Sequence, residues 1–150
     1  MKSNPDKIVI RAWARLMKVQ QLALANAEAA LKEVDFPPLA WYDILLELER
    51  VGDAGLRPFE LEREMLLAQH NLSRLIDRLE TAGYVERRAC EDDRRGQMIV
   101  ITSAGRDIRR RMWPVYSEVI QRFIGSRISQ KQAKTLDEIL GLLTEKLPKK

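Results

Sequence analysis

The chain has almost none of the side chains that catalysis or metal binding uses most. Of its 150 residues one is a cysteine, Cys90, and one a histidine, His70. A lone thiol excludes an internal disulfide and fits a reducing compartment. A Cys–His nucleophilic pair would have to join these two residues, with nothing in the sequence to orient either. Nor do His70, Cys90 and the nearby carboxylates have the spacing of a metal site. No catalytic residue, metal or cofactor is therefore expected. Long apolar runs are missing too: none reaches membrane-spanning length, and the N-terminal MKSNPDKIVIRAW has no signal-peptide core. A cytoplasmic protein is expected. The excess of positive charge is small, +4 with a pI near 9.4, which permits an anionic partner without demanding one.

What the chain does have is apolar residues (45 %) and charged residues (32 %) in the proportions of a folded, well-solvated domain. Their spacing is largely helical. From Asp6 to about Val34, Ile8, Ala12, Leu16, Val19, Ala23 and Ala27 recur three or four apart, with Trp13, Met17, Leu24 and Leu31 alongside. That stripe is wider than one packing partner needs. Asp35-Phe36-Pro37-Pro38 breaks the chain, and the period resumes from Leu39 to Arg50. After the loop Gly52–Gly55, Pro58 opens a short helix to about Leu66, with Phe59, Leu61 and Met65 as its apolar set. A second helix is expected from near Ala68–His70 to Ala82, with Leu72, Leu75, Ile76 and Leu79 inward and Gly83 as a left-handed stop. Tyr84–Ala89 and Gln97–Thr102 read as a hairpin with a long charged loop. Thr102 or Ser103 caps a helix whose stripe runs Ile108, Met112, Val115, Val119 and Phe123, with a kink or lost hydrogen bond at Pro114. Ser129 caps a final helix from about Gln130 to Leu147, expected to bury Leu136, Ile139, Leu140, Leu143 and Leu147.

Two short helices before a glycine stop have the makings of a helix-turn-helix, whose second helix reaches base edges. Arg74 and Arg78 are four apart and share one face, with Gln69, His70, Asn71 and Ser73 supplying hydrogen-bonding groups near the helix start. Taken alone, they read more readily as a solvated face, balanced as Arg78–Asp77 or Arg74–Glu80. The hairpin shifts that balance. Glu91-Asp92-Asp93-Arg94-Arg95-Gly96 puts two arginines beside a glycine at the tip, where Asp93 can orient Arg95, and arginine suits a narrow minor groove.

In these residues the chain resembles the MarR-type winged helix-turn-helix transcription regulators. The likeness rests on Leu72-Ser73-Arg74-Leu75-Ile76-Asp77-Arg78-Leu79-Glu80, on Gly83-Tyr84-Val85-Glu86-Arg87, on Asp92-Asp93-Arg94-Arg95-Gly96, and on Ile101-Thr102-Ser103-Ala104-Gly105. It implies a mainly α fold with a small β-hairpin wing, in a single protomer over 1–150. Residues 6–34 and 107–147 would be dimerisation helices, and 38–105 the winged helix-turn-helix. It also implies a homodimer on double-stranded DNA, repressing transcription from a short palindromic operator. Carried over by position, Gln69, His70, Asn71, Ser73, Arg74 and Arg78 are the recognition-helix contacts, and Arg94 and Arg95 the wing contacts, supported by Asp93.

The resemblance further implies a small aromatic or phenolic effector, for which Trp13, Met17, Trp41, Tyr42 and Met112 are the candidate lining. Each of these is also an ordinary core residue. Some relatives sense peroxide through a cysteine near the N-terminus, and the first helix here has none. Two stretches depart from the family pattern. The turn Leu66-Leu67-Ala68 has no glycine, and Ala89-Cys90-Glu91 takes the place of the usual prolines. Cys90 is expected to be an exposed wing thiol flanked by Arg87 and Arg88. The competing reading is a winged helix that binds protein and not DNA.

Overall fold

A computed structural model of the chain describes residues 3–66, 71–90 and 96–145. It contains six α-helices and one hairpin among them: α1 (Lys7–Glu33), α2 (Leu39–Val51), α3 (Pro58–Glu64), α4 (Leu72–Thr81), β1 (Val85–Ala89), β2 (Gln97–Ile101), α5 (Ser103–Ile120) and α6 (Gln130–Thr144). The fold is mainly α with a β-hairpin wing, as the sequence predicts.

Helix starts follow local chemistry. The Asp6 carboxylate accepts from the Ile8 N–H at 3.0 Å and caps α1. Pro38, which precedes α2, has no side chain able to cap it. Glu28 of α1 supplies the missing acceptor, taking the Leu39 N–H at 2.7 Å. This bond between elements fixes the angle at which α2 leaves α1. Pro58 occupies the first turn of α3, where its missing N–H costs nothing, and the Glu60 carboxylate accepts from the Arg57 N–H at 3.0 Å. Ser129 and Gln132 exchange hydrogen bonds at the start of α6 in a capping box.

The core is formed by α2 with the C-terminal end of α1, the inner face of α4, both strands and α5. Ile44, Leu45, Leu48, Leu61, Leu79, Ile99 and Met112 are fully buried. Each such aliphatic side chain contributes about 1.5–3 kcal/mol by leaving water. Tyr42 stacks at 6.3 Å on Trp113 and lies 5.2 Å from Tyr116. Arg109 covers the Tyr42 ring and pairs with Glu49, closing this side of the α2–α5 contact.

Five details differ from the sequence reading. Phe59 is exposed, because α3 has only two turns and turns Leu61 inward. Asn71 is non-helical and occupies the cap position, so the second helix of the pair begins at Leu72, later than the expected start near Ala68–His70. The loop after α2 contains a 3-10 turn, Gly52–Ala54, and beyond it Leu56 exchanges backbone hydrogen bonds with Ile99 at 3.0 and 2.8 Å. The wing thus has a third, one-residue strand that the hydrophobic pattern cannot reveal. Helix α5 runs through Pro114 with the expected loss of one N–H hydrogen bond, and what the sequence does not foresee is a π-helical turn after it at Gln121–Gly125. Finally, α6 buries no residue in the protomer: Leu136, Ile139 and Leu143 are exposed and Leu140 is half-buried, while Leu147 lies outside the described residues.

Candidate nucleic-acid interface

Helix α4 divides its residues sharply. Leu75, Ile76 and Leu79 are buried against the core, and Ser73, Arg74, Asp77, Arg78 and Glu80 face solvent. Its end is a Schellman cap. Gly83, at φ +82°, donates to the Glu80 carbonyl, and Tyr84 donates to the Leu79 carbonyl, both at 2.9 Å. A left-handed residue at that point reverses the chain directly into β1.

The far end of the hairpin returns to the same place. Thr102 donates its hydroxyl to the Gly83 carbonyl at 2.6 Å and its N–H to the Tyr84 carbonyl at 3.1 Å. The same hydroxyl accepts from the Gly105 N–H at 3.1 Å, capping α5. One side chain therefore joins the end of α4 to the start of α5. Gly105 packs so closely that a Cβ there would collide with the Tyr84 carbonyl and with Ile101. Helix, wing and α5 meet at a junction with no room to shift.

The wing is antiparallel, with Val85 opposite Ile101 and Ala89 opposite Gln97. Beyond β1 the Cys90 N–H reaches the Gly96 carbonyl at 3.0 Å and closes the base of the loop. Alternation along β1 sends Val85 and Arg87 to one face and Glu86 and Arg88 to the other. On the inner face Arg87 reaches α4: its guanidinium meets Asp77 at 2.5 Å and Glu80 at 2.7 Å, while its N–H donates to the second Glu80 oxygen at 3.2 Å. Burial works against the Arg87 charge, but the hydrogen bonds and charges of Asp77 and Glu80 outweigh it and hold the pKa above its ordinary value.

The acids of α4 are thus not balanced by its own arginines, as the isolated helix suggests. They are held by the wing. Among the described residues, Arg74 and Arg78 form no ion pair. Arg87 is the residue that sequence reasoning missed; the signal was present as an arginine two residues after Val85, on the face of β1 that points at the helix.

The remaining candidates fall as follows. Asn71, Ser73, Arg74 and Arg78 are exposed at the start and along the outer face of α4. Gln69, His70, Asp93, Arg94 and Arg95 lie outside the described residues. Cys90 is half-buried and not flanked by both arginines in space, because Arg87 turns away to α4. It shares with Arg57, Arg88 and Met98 an open cavity of about 420 Å³ on the outer face of the wing. The five candidate effector residues occupy three settings. Tyr42 and Met112 are core residues, Trp41 is half-buried edge-on to Tyr84, and Trp13 and Met17 are exposed on α1. Among the described residues no cluster of His, Cys, Asp and Glu could hold a metal, and no helix is long and apolar enough to cross a membrane.

The arrangement has known counterparts. Residues 35–96, from the entry to α2 through the wing, match the family model of the MarR family. The transcriptional repressor MprA of Escherichia coli K12 is 27 % identical over 131 residues, covering 87 % of this chain and 73 % of the repressor. Sco3205, a MarR family transcriptional regulator from Streptomyces coelicolor solved in complex with DNA, superimposes with a TM-score of 0.87 at 25 % identity, over 97 % of this chain and 91 % of that one. A mutant MarR from Escherichia coli complexed with operator DNA shares the fold, with a TM-score of 0.79 at 22 % identity over 95 % of this chain and 100 % of that one. With its two short helices, its tied hairpin and its flanking helices, the chain has the winged helix-turn-helix fold of these MarR family transcription regulators and resembles that family most directly over residues 35–96.

Proposed function

We propose that the protein is a homodimeric repressor that binds a short palindromic operator, with α4 in the major groove and the wing in the adjacent minor groove. The observation that carries this reading is the outer face of α4, where Arg74 and Arg78 are exposed and unpaired among the described residues while the neighbouring acids are held by Arg87. Free guanidinium groups on a recognition helix are suited to bidentate contacts with guanine and to phosphate contacts. The DNA complex of the similar Streptomyces regulator supports it. Asn71 and Ser73 lie at the helix start, the part that enters the groove first, and Gln69 and His70 precede them in the chain. Arg94 and Arg95, the latter oriented by Asp93, would serve the minor groove.

Dimerisation is part of the same proposal. Helix α1 exposes Ile8, Trp13 and Met17, and α6 exposes Ile139, Leu142 and Leu143. These apolar faces belong to the segments 6–34 and 107–147 assigned to the dimer, leaving 38–105 as the DNA-binding unit. Two-fold symmetry then sets the half-sites about 10 bp apart. An effector entering between the helices would meet Trp13, Met17 and Trp41, since Tyr42 and Met112 are already packed in the core.

Fragments of the host genome selected by the purified protein provide the probe. Affinity on such a fragment should fall with salt by about 0.9 log unit per log unit for each phosphate neutralised. Arg78→Ala should weaken binding by about 1–3 kcal/mol if the contact is bidentate. Unchanged affinity for this variant and for Arg74→Ala, in a titration at fixed salt, would sink the placement of α4.

A further inference from the structure

Arg87 belongs to neither the core nor the exposed arginine set, and its partners explain why it is there. Helix α4 carries Arg74 and Arg78 and also Asp77 and Glu80, so its own side-chain charges cancel. Such a helix gains nothing from approaching a polyanion, and a carboxylate beside a phosphate repels it. Asp77 is 60 % exposed, so its charge faces solvent on the same helix that presents Arg78.

We propose, building on the DNA-binding reading above, that Arg87 is a positioning residue for DNA. Its guanidinium neutralises Asp77 and Glu80 of the recognition helix and holds their carboxylates toward the wing, leaving Arg74 and Arg78 to face the duplex. The geometry is suited to this task. A guanidinium is a planar fork, and here its two terminal nitrogens go to two different carboxylates, one a single turn along the helix from the other. The backbone N–H of Arg87 takes the remaining Glu80 oxygen, so the contact fixes strand β1 as well as the charge. With Arg87 included, the exposed cluster changes from neutral to cationic. Arg88, the next residue, points to the other face and, among the described residues, pairs with Glu86 at 3.3 Å. It cannot substitute.

The test uses the full chain and a fluorescent duplex selected from a random library by the wild-type protein. Arg87→Met should weaken binding roughly tenfold or more, as removing one member of a close charge cluster does. Adding Asp77→Asn and Glu80→Gln to Arg87→Met should restore affinity to within about threefold of wild type, because the unopposed acids are then gone. A purely structural role would not give this rescue. If Arg87→Met fails to melt cooperatively, Asp77→Asn with Glu80→Gln in the wild-type background decides the matter: affinity should hold or rise. Full binding by Arg87→Met, absence of rescue in the triple variant, or a tenfold loss in the double variant would each overturn the role of Arg87 while leaving DNA binding intact. Failure of the wild type to enrich any duplex would overturn the DNA-binding reading and this role with it.

Discussion

The winged body and the terminal helices are both rich in large apolar side chains, yet they treat them in opposite ways. In the body, Ile44, Leu45 and Leu48 on α2 are fully buried by α5 and the wing. On α1 and α6, Ile8 is 68 %, Trp13 64 % and Leu142 69 % exposed. Helix α1 buries only Ala27 and Leu31, near its C-terminal end where α2 and α5 reach it, and α6 buries nothing. The difference shows where folding of one chain ends. The body satisfies itself, whereas the terminal helices leave many of their large apolar side chains in water. In the proposed dimer that surface is the interface.

The sharpest way to break this contrast is to charge the exposed side of it. Trp13→Glu combined with Ile139→Glu should convert a dimer to a 17.4 kDa monomer in sedimentation. Operator affinity should drop by roughly a hundredfold or more, because the second half-site then contributes no avidity. A wild-type protein that sediments as a monomer would end the interface reading. The opposite test attacks the body. Gly105→Val pushes a side chain into the Tyr84 carbonyl and Ile101, and overpacking of this kind costs about 1–3 kcal/mol. Urea unfolding should show the loss, with the oligomeric state of the folded fraction unchanged. An unaltered midpoint would mean that the junction of α4, wing and α5 can yield.

The smallest effect is expected from Glu47, a carboxyl buried on α2. Burial raises its pKa above the ordinary 4.5; Arg50 lowers it, and Asp43 and Glu64 raise it, with an upward net result. A carboxyl whose folded-state pKa is raised binds its proton more tightly when folded. Its contribution is therefore fully present below the ordinary carboxylate range and is lost as pH rises through the folded value. Glu47→Gln should lack this part of the pH dependence as pH rises above the ordinary carboxylate range, and be at least as stable as wild type once Glu47 is ionised. Parallel slopes of stability against pH in the two proteins would show that Glu47 does not titrate in this window.

Much of the fold was legible because its signals are local. Pro58, Gly83, Thr102 and Ser129 each act on hydrogen bonds within a few residues, and each occupies the cap or turn position that the sequence predicts. What was not legible depends on partners distant in sequence. Leu56 forms a strand only because Ile99 is beside it, and Phe59 stays exposed only because α3 is too short to turn a second side chain inward. The candidate site divides in the same way. The spacing of Arg74 and Arg78 already places them on one face of a helix. Their freedom from Asp77 and Glu80 follows from Arg87, seven to ten residues further on and across a chain reversal.

By itself, then, the sequence determined the order of helices, their caps, the stop at Gly83 and the hairpin, since backbone hydrogen bonding and 3.6-residue periodicity act at short range. Which apolar stripes would be buried in the protomer was decided only by the tertiary structure, because a stripe on α6 reads the same whether its partner lies in the same chain or another. The charge that α4 presents was decided there too. Ion pairing depends on distances between side chains, and only the fold brings Arg87 to α4.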